Sequence, residues 1–216
     1  HSQRWRQFPL TPEHVPLFLG HSHYIRWVEE QLAKGLMRNE RHLWTSVRPN
    51  GPRRPYDLNR LELRICDLVT DPAELMAITA LLELRLLQLR DAPQELDPLC
   101  SSQLTASELA ALADANDAAA ARASIDASLH RWQDGTTVTC RDWIHELLDL
   151  ITPLAERHNL ISQLSPLNAL LRNGNQAIRW LKAVEAGTSI SSLLQQGSLA
   201  MSHQEQRTTP VSSALG

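Results

Sequence analysis

Residues 58–67 read LNRLELRICD, and this stretch decides the fold of the first part of the chain. Alternate side chains of a β-strand share one face, so Arg60, Glu62 and Arg64 line one side at intervals of about 6.6 Å. The apolar residues between them line the other side, and we expect that face to pack on a core. The pattern predicts a strand at 58–66 with one charged and one apolar face.

A second strand-like run lies just before it, at residues 42–47. The intervening loop carries Asn50-Gly51 and two prolines and is too long for a tight turn, yet the two strands can still pair antiparallel. After residue 67 the apolar residues change to helical spacing. The sequence therefore predicts an α+β fold, in which an incomplete antiparallel sheet is followed by a helical C-terminal region.

Capping residues mark the predicted helices. Asp71 as N-cap, Pro72 as first helical residue and Glu74 as capping-box partner open a leucine-rich helix that runs to about Arg90. The other expected helices and their signals are 22–34, with a cap at Ser22 and an end at Gly35; an alanine-rich helix from the Thr105/Glu108 capping box toward Leu129; a helix from the Thr139/Asp142 cap to about Arg157, after a turn at Asp134-Gly135; and 166–172, 175–186 and 189–196. We expect residues 197–216, which are mostly Ser, Gln, Thr and Pro, to be a disordered tail.

Composition excludes several classes of protein. The 216 residues are 43% hydrophobic and 21% charged with a net charge of −3, which suits a globular chain of one or two domains without a general attraction to nucleic acid or anionic membranes. No run is long and apolar enough to span a bilayer, and no secretory signal opens the chain, so we expect a cytoplasmic protein. The chain begins at His1 without a helix start signal, and we expect an upstream part of the domain.

The charged face of the 58–66 strand permits two interpretations. A carboxylate flanked by arginines can hold Mg²⁺ on ATP phosphates while the guanidinium groups neutralise the phosphoryl oxygens. The same residues can instead form a solvated sheet face with cross-strand ion pairs. The local pattern leaves both open.

A resemblance favours the first interpretation. Residues 43–49 (LWTSVRP) and 61–67 (LELRICD) resemble the signature strands of the carboxylate-amine ligases related to glutamate–cysteine ligase, and the intervening loop resembles their cyanobacterial branch. Asn116, Arg122 and Asp126 have the spacing of that family's N-x-x-x-A-A-R-x-G-x-D-A helix, and residues 173–177 resemble its G-N-x-A-like turn. The resemblance identifies residues 1–196 as the C-terminal part of a ligase catalytic domain.

The resemblance implies a glutamine-synthetase-like catalytic fold with ATP and Mg²⁺ as cofactors. It implies that Glu62 is a magnesium ligand and that Arg64 and Arg48 are catalytic groups facing the γ-phosphoryl group or the glutamate carboxylates. Three further residues are expected to bind substrate or ATP: Arg60, Asn116 and Arg122. Arg122 and Asp126 are also expected to pair at i, i+4 on one helix face, which leaves a purely structural role open.

The implied activity joins the γ-carboxyl of L-glutamate to the amine of L-cysteine through a γ-glutamyl phosphate, the first step of glutathione biosynthesis. Thr45, Ser46, Asn50 and the Ala123-Ser124 pair depart from the family pattern, so another acceptor amine is an alternative. A non-catalytic helical interaction module is the alternative from a different class. A magnesium–nucleotide site needs several oxygen ligands, and the sequence supplies one convincing strand carboxylate. We therefore also expect the isolated chain to bind ATP poorly.

Overall fold

A computed structural model describes Pro12, residues 15–40, Leu43 and residues 47–49, 61–63 and 69–208. The chain divides into two compact units, His1–Cys66 and Asp67–Gly216. Most described residues are helical and the strands form two small antiparallel sheets, which is compatible with the predicted α+β class. The elements are α1 His21–Ala33, β1 Val47–Pro49, β2 Leu61–Leu63, α2 Pro72–Asp91, α3 Pro93–Leu96, α4 Pro98–Ser101, α5 Ala106–Ala123, a 3₁₀ turn Ser124–Asp126, β3 Ser128–His130, β4 Thr137–Thr139, α6 Cys140–Arg157, α7 Ile161–Asn173, α8 Gln176–Glu185 and α9 Ile190–Thr208.

Helix α1 organises the core of the first unit. Its N-cap is Gly20, which has no side chain to form a capping bond, and Ser22 lies inside the helix. The predicted cap at Ser22 is therefore wrong. Its predicted end is confirmed, because Gly35 follows with φ +71, a conformation that glycine adopts without strain. The buried side chains of this core are Tyr24, Ile25, Val28, Met37 and Leu43.

Strands β1 and β2 pair antiparallel, with Arg48 opposite Glu62, which confirms the expected pairing. The first strand is described at Val47–Pro49, and of the predicted range 42–47 residues 42 and 44–46 lie outside the described part. Leu61 and Leu63 remain 52% and 41% exposed. The expected packing of this face on a core is therefore wrong for the described residues, since such a short two-stranded sheet covers little surface by itself.

Helix α2 is the centre of the second unit and follows the predicted capping pattern. Asp71 accepts a hydrogen bond from the Ala73 amide, and Pro72 is the first helical residue. Small residues on one face let α6 and α7 approach closely. The resulting core contains Ala77, Ala80, Leu84, Ile151, Leu154, Ala155, Leu164 and Leu167.

Helix α5 ends earlier than the sequence indicated. The capping box of Thr105 and Glu108 is confirmed, but the helix stops at Ala123 because Ser124 takes φ +53 and ψ −130. Leu129 therefore lies in β3, which pairs with β4 in a hairpin that the sequence analysis missed. The predicted turn at Asp134-Gly135 joins the two strands, with φ +77 at the glycine.

The last four helices match the predicted bounds except for the start of α7 and the end of α9. Thr139 caps α6 as expected, and α8 starts within one residue of its predicted bound, with Asn175 as its N-cap. Helix α7 begins at Ile161 rather than 166, and α9 continues to Thr208, so the helix end at 196 and disorder for 197–208 are wrong. Gly197 lies within α9 next to Thr70 and Trp180, where a Cβ would make ordinary van der Waals contacts at 3.5 and 3.7 Å, so this part of the helix is packed against the rest of the unit.

The length and hydropathy of the helices bear on whether the chain could span a membrane. Within the part of the chain that the structure describes, none is long and apolar enough to cross a bilayer.

Candidate active site

The sheet of the first unit brings Arg48 and Glu62 into direct contact. Because the two residues are opposite each other in the antiparallel register, their side chains leave the same face of the sheet. Arg48 donates from Nε and from Nη2 to Glu62 Oε2, at 3.2 and 2.5 Å. Its Nη1 donates to the backbone oxygen of Glu40 at 2.8 Å. Arg48 is thus held at three nitrogens.

The two partners differ in exposure. The Arg48 side chain is 9% exposed and that of Glu62 is 45% exposed. A buried guanidinium is tolerated because a carboxylate and a carbonyl satisfy it, whereas the carboxylate keeps contact with solvent. This is the cross-strand ion pair of the structural interpretation, and it also leaves an accessible carboxylate where the resemblance implies a metal ligand. Arg60 and Arg64 lie outside the described residues.

Glu62 offers a single carboxylate as a possible magnesium ligand. Nowhere in the described ranges do three or more His, Cys, Asp or Glu side chains form a group that could hold a metal ion. Magnesium usually keeps several waters and takes one or two protein carboxylates together with substrate phosphates. The exposed carboxylate of Glu62 fits that limited role, and it does not fit an all-protein metal cage.

Asn116, in the second unit, is committed to the backbone of the β3–β4 hairpin. Its Nδ2 donates to the His130 oxygen and its Oδ1 accepts from the His130 amide, both at 2.8 Å. The side-chain amide therefore satisfies both backbone groups of one residue, as a neighbouring strand would. This contact holds the hairpin on α5, and it uses the groups that the resemblance assigned to substrate or ATP.

Arg122 lies in the last turn of α5 and is exposed. Its Nε donates to the Ala118 oxygen at 3.1 Å. The expected pair with Asp126 is wrong: α5 ends before Asp126, whose carboxylate accepts from Arg141 at 2.5 Å instead. Arg122 consequently keeps a positive charge that no acid of the described chain neutralises by direct contact.

The two segments singled out by the resemblance in this unit meet at one point. Asn175 Nδ2 donates to Ser124 Oγ at 2.7 Å, although the residues are 51 positions apart. Asn175 Oδ1 accepts from the Ile178 amide at 3.0 Å and so caps α8. The preceding Gly174 has φ +89, and a Cβ there would lie 2.6 Å from Ile178 Cγ2. The turn therefore requires glycine at this position.

Two further contacts fasten α8 to the start of α2, and the sequence analysis missed both. Arg179 donates from both terminal nitrogens to Glu74, at 2.8 and 2.9 Å, so Glu74 is an ion-pair partner and not the predicted capping-box residue. Gln176 Oε1 accepts from the amide and hydroxyl of Thr70 at 2.7 and 3.0 Å. The burial of Glu74 and Gln176, at 9% and 6% exposure, was not visible in a local pattern.

Electrostatic contacts also fix the hairpin on α6. Arg131 donates from both terminal nitrogens to the two oxygens of Glu146, each at 2.6 Å. This bidentate bond is the main cause that lowers the pKa of Glu146. The arginine also lies 5.9 Å from the ring centre of Trp143.

Residues 1–206 match the sequence pattern of glutamate-cysteine ligase family 2. The chain belongs to this family. The match includes both units and every described residue of the candidate site.

Individual members of glutamate-cysteine ligase family 2 resemble the chain at low identity. A protein of Sorangium cellulosum, provisionally named glutamate–cysteine ligase 2, is 27% identical over 216 aligned residues. The match covers 93% of this chain and 51% of that protein. One of Rubrobacter xylanophilus, provisionally named glutamate–cysteine ligase 2-3, is 27% identical over 195 residues, 89% of this chain and 49% of its own length. The chain thus spans about half the length of these curated relatives. No solved structure matches it.

Proposed function

We propose that this chain carries part of the active site of an ATP-dependent carboxylate-amine ligase that activates the γ-carboxyl of L-glutamate. The observation that carries the proposal is the Arg48–Glu62 pair on neighbouring strands, within a family match over residues 1–206. Two anions must approach each other when a carboxylate is phosphorylated, so the site needs fixed positive charge next to an accessible metal-binding oxygen.

The proposed reaction has two steps. A γ-carboxylate oxygen of glutamate attacks the γ-phosphorus of ATP, the bond from that phosphorus to the β,γ-bridging oxygen breaks, and ADP leaves. The nitrogen of the acceptor amine then attacks the acyl carbon of γ-glutamyl phosphate, inorganic phosphate leaves and the amine loses a proton. An amide forms while ATP supplies the leaving group.

The proposed roles follow from the chemistry of each side chain. Glu62 would hold Mg²⁺, which when bound neutralises charge on the ATP phosphates. Arg48 and Arg64 would face the transferring phosphoryl group or the glutamate carboxylates. Arg60 and Arg122 would contact ATP or substrate, and Asn116, whose amide is used within the fold, would contribute by holding the hairpin.

We propose L-cysteine as the acceptor and the first step of glutathione biosynthesis as the role, in the cytoplasm, on a glutamine-synthetase-like catalytic fold. The names of the relatives and the strand resemblance support this choice. Another acceptor amine remains the alternative, because Thr45, Ser46 and Asn50 depart from the family pattern in and next to the signature segment 43–49. A panel of amines distinguishes the two.

The test uses the full natural polypeptide that contains these residues. Glutamate, MgATP and single amines are supplied, and the γ-glutamyl product and phosphate are quantified. Glu62→Gln should lose at least about 100-fold in turnover, because the substitution keeps the shape and removes the metal-binding charge. The matched control is Glu83→Gln, an exposed helical residue that should behave as wild type.

Three results are informative. Product with cysteine supports the full proposal, and product with another amine alone supports the ligase and replaces the acceptor. A folded Glu62→Gln protein with near-normal turnover would refute the assignment of Glu62 as a metal ligand and leave the ion pair with Arg48 as a structural contact.

A further inference from the structure

We propose that Asn175 is a positioning residue for Arg122, which takes an anionic group of the substrate. By bonding the Ser124 side chain, Asn175 holds the positive-φ turn that ends α5, and so fixes the last helical turn from which the Arg122 side chain projects. This inference rests on the proposed function, because the anionic group would be an ATP phosphate or a glutamate carboxylate.

The first support is the state of Arg122. Its Nε is bonded to the Ala118 oxygen, and its two terminal nitrogens donate to no residue that the structure describes. The acid expected beside it, Asp126, is paired with Arg141. An exposed guanidinium with a fixed stem and unused terminal donors can donate two hydrogen bonds to a phosphate or carboxylate.

The second support is the conformation of Ser124. Its φ of +53 with ψ of −130 is rarely adopted by residues with a side chain, and such a residue persists when its surroundings hold it. The Asn175 amide is the surrounding group that bonds this side chain, at 2.7 Å. If the turn relaxes, the last turn of α5, which includes Arg122, loses its fixed end.

The third support is that Asn175 is itself firmly held. Its other amide atom caps α8, and Arg179 and Gln176 of that helix are bonded to Glu74 and Thr70. A continuous set of contacts therefore leads from the start of α2 through α8 to the end of α5. A side chain anchored in this way can hold a strained turn in place, which a mobile surface residue could not do.

The test is a set of variants of the full natural polypeptide, assayed well below the unfolding temperature. Asn175→Ser keeps an oxygen that can cap α8 but is too short to reach Ser124. It should raise KM for ATP or for glutamate roughly three- to tenfold and leave kcat within about twofold. The substrate whose KM rises, ATP or glutamate, is the one whose anionic group binds Arg122.

Two further variants show whether the effect passes through the turn and through Arg122. Adding Ser124→Gly to Asn175→Ser should restore KM, because glycine adopts positive φ without needing the bond. In an Arg122→Gln background, Asn175→Ser should change KM no further. Equal KM effects with and without Arg122, or no rescue by Ser124→Gly, would overturn the inference.

The failure of the proposed function is distinguishable from the failure of this inference. Wild-type protein without glutamate-dependent phosphate release refutes the function, and the substrate part of the inference with it. Normal wild-type activity with an impaired Arg122→Gln variant and an unaffected Asn175→Ser variant refutes the inference alone. Hydrogen exchange of the 120–127 amides in this chain tests the positional part directly: exchange must be faster in Asn175→Ser, and unchanged exchange refutes the positioning role.

Discussion

Ser124 offers a stability test in which the usual order of alanine and glycine should be reversed. At an unstrained position glycine is less stable than alanine by roughly 0.5–1 kcal/mol, because the unfolded chain gains freedom. At Ser124, with φ +53 and ψ −130, any side chain carries a strain cost of roughly 1–3 kcal/mol that glycine avoids. Glycine should therefore be more stable than alanine here by roughly 1 kcal/mol.

The Asn175–Ser124 hydrogen bond determines how the stability of wild type compares with that of the two variants. Both substitutions remove the bond, which is worth roughly 0.5–1.5 kcal/mol. Ser124→Ala keeps the strain and should lose roughly 1 kcal/mol. Ser124→Gly loses the bond but also the strain, so its free energy of unfolding should stay close to that of wild type.

Urea denaturation of this chain, monitored by the circular dichroism of its helices, measures the free energies of unfolding of wild type, Ser124→Ala and Ser124→Gly. Differences between them follow from the denaturation midpoints if the dependence on urea concentration is the same in all three. Ala113→Gly, on the exposed face of α5, is the control for the ordinary order and should lose roughly 1 kcal/mol. If Ser124→Gly proves less stable than Ser124→Ala by the amount that the control shows, the strained conformation at this turn is refuted.

Three other perturbations have defined outcomes. Glu74→Ala should lower the free energy of unfolding by roughly 2 kcal/mol, less than for a fully buried pair because the Arg179 side chain is 35% exposed; urea denaturation measures it, and an unchanged midpoint would contradict the pairing. Glu146 has a lowered pKa in the folded state, so its contribution to stability is present above the ordinary glutamate pKa and is lost as pH falls through the folded value. On acidification the free energy of unfolding of Glu146→Gln should therefore decrease less than that of wild type. An equal decrease in both proteins would contradict the ion pair with Arg131. Gly174→Ala, at φ +89 with its Cβ 2.6 Å from Ile178, should cost at least about 2 kcal/mol, and a neutral effect on melting temperature would refute the tight turn.

Local sequence signals predicted where most helices of the second unit begin. The capping residues Asp71, Thr105 and Thr139 act within three residues of themselves, so a local pattern is sufficient to find them. The ends of two helices, α5 and α9, were predicted wrongly. The polar composition after residue 196 indicated disorder, but α9 continues through Gly197, which lies next to Thr70 and Trp180, and contacts so distant in sequence leave no local signal.

The candidate site was predictable where strand geometry determined it. Antiparallel pairing places Arg48 opposite Glu62 once the register is known, and the charged face of the 58–66 strand indicated the second of these residues. The partners of Asn116 and Glu74 could not be predicted, because the atoms they bond lie 14 and 105 positions away. Long-range contacts of this kind depend on helix packing and leave no local periodicity.

The central claim, that glutamate is activated as an acyl phosphate, has a direct measurement in positional isotope exchange. The full natural polypeptide is incubated with Mg²⁺, L-glutamate and ATP carrying ¹⁸O in the β,γ-bridge, without an acceptor amine. Reversible formation of γ-glutamyl phosphate frees the β-phosphate of bound ADP to rotate, so the label should move to a β-nonbridging position only when glutamate is present, and much more slowly in Glu62→Gln. Formation of γ-glutamyl product in the complete reaction without such glutamate-dependent exchange, under conditions in which bound ADP can return to ATP, would contradict the account.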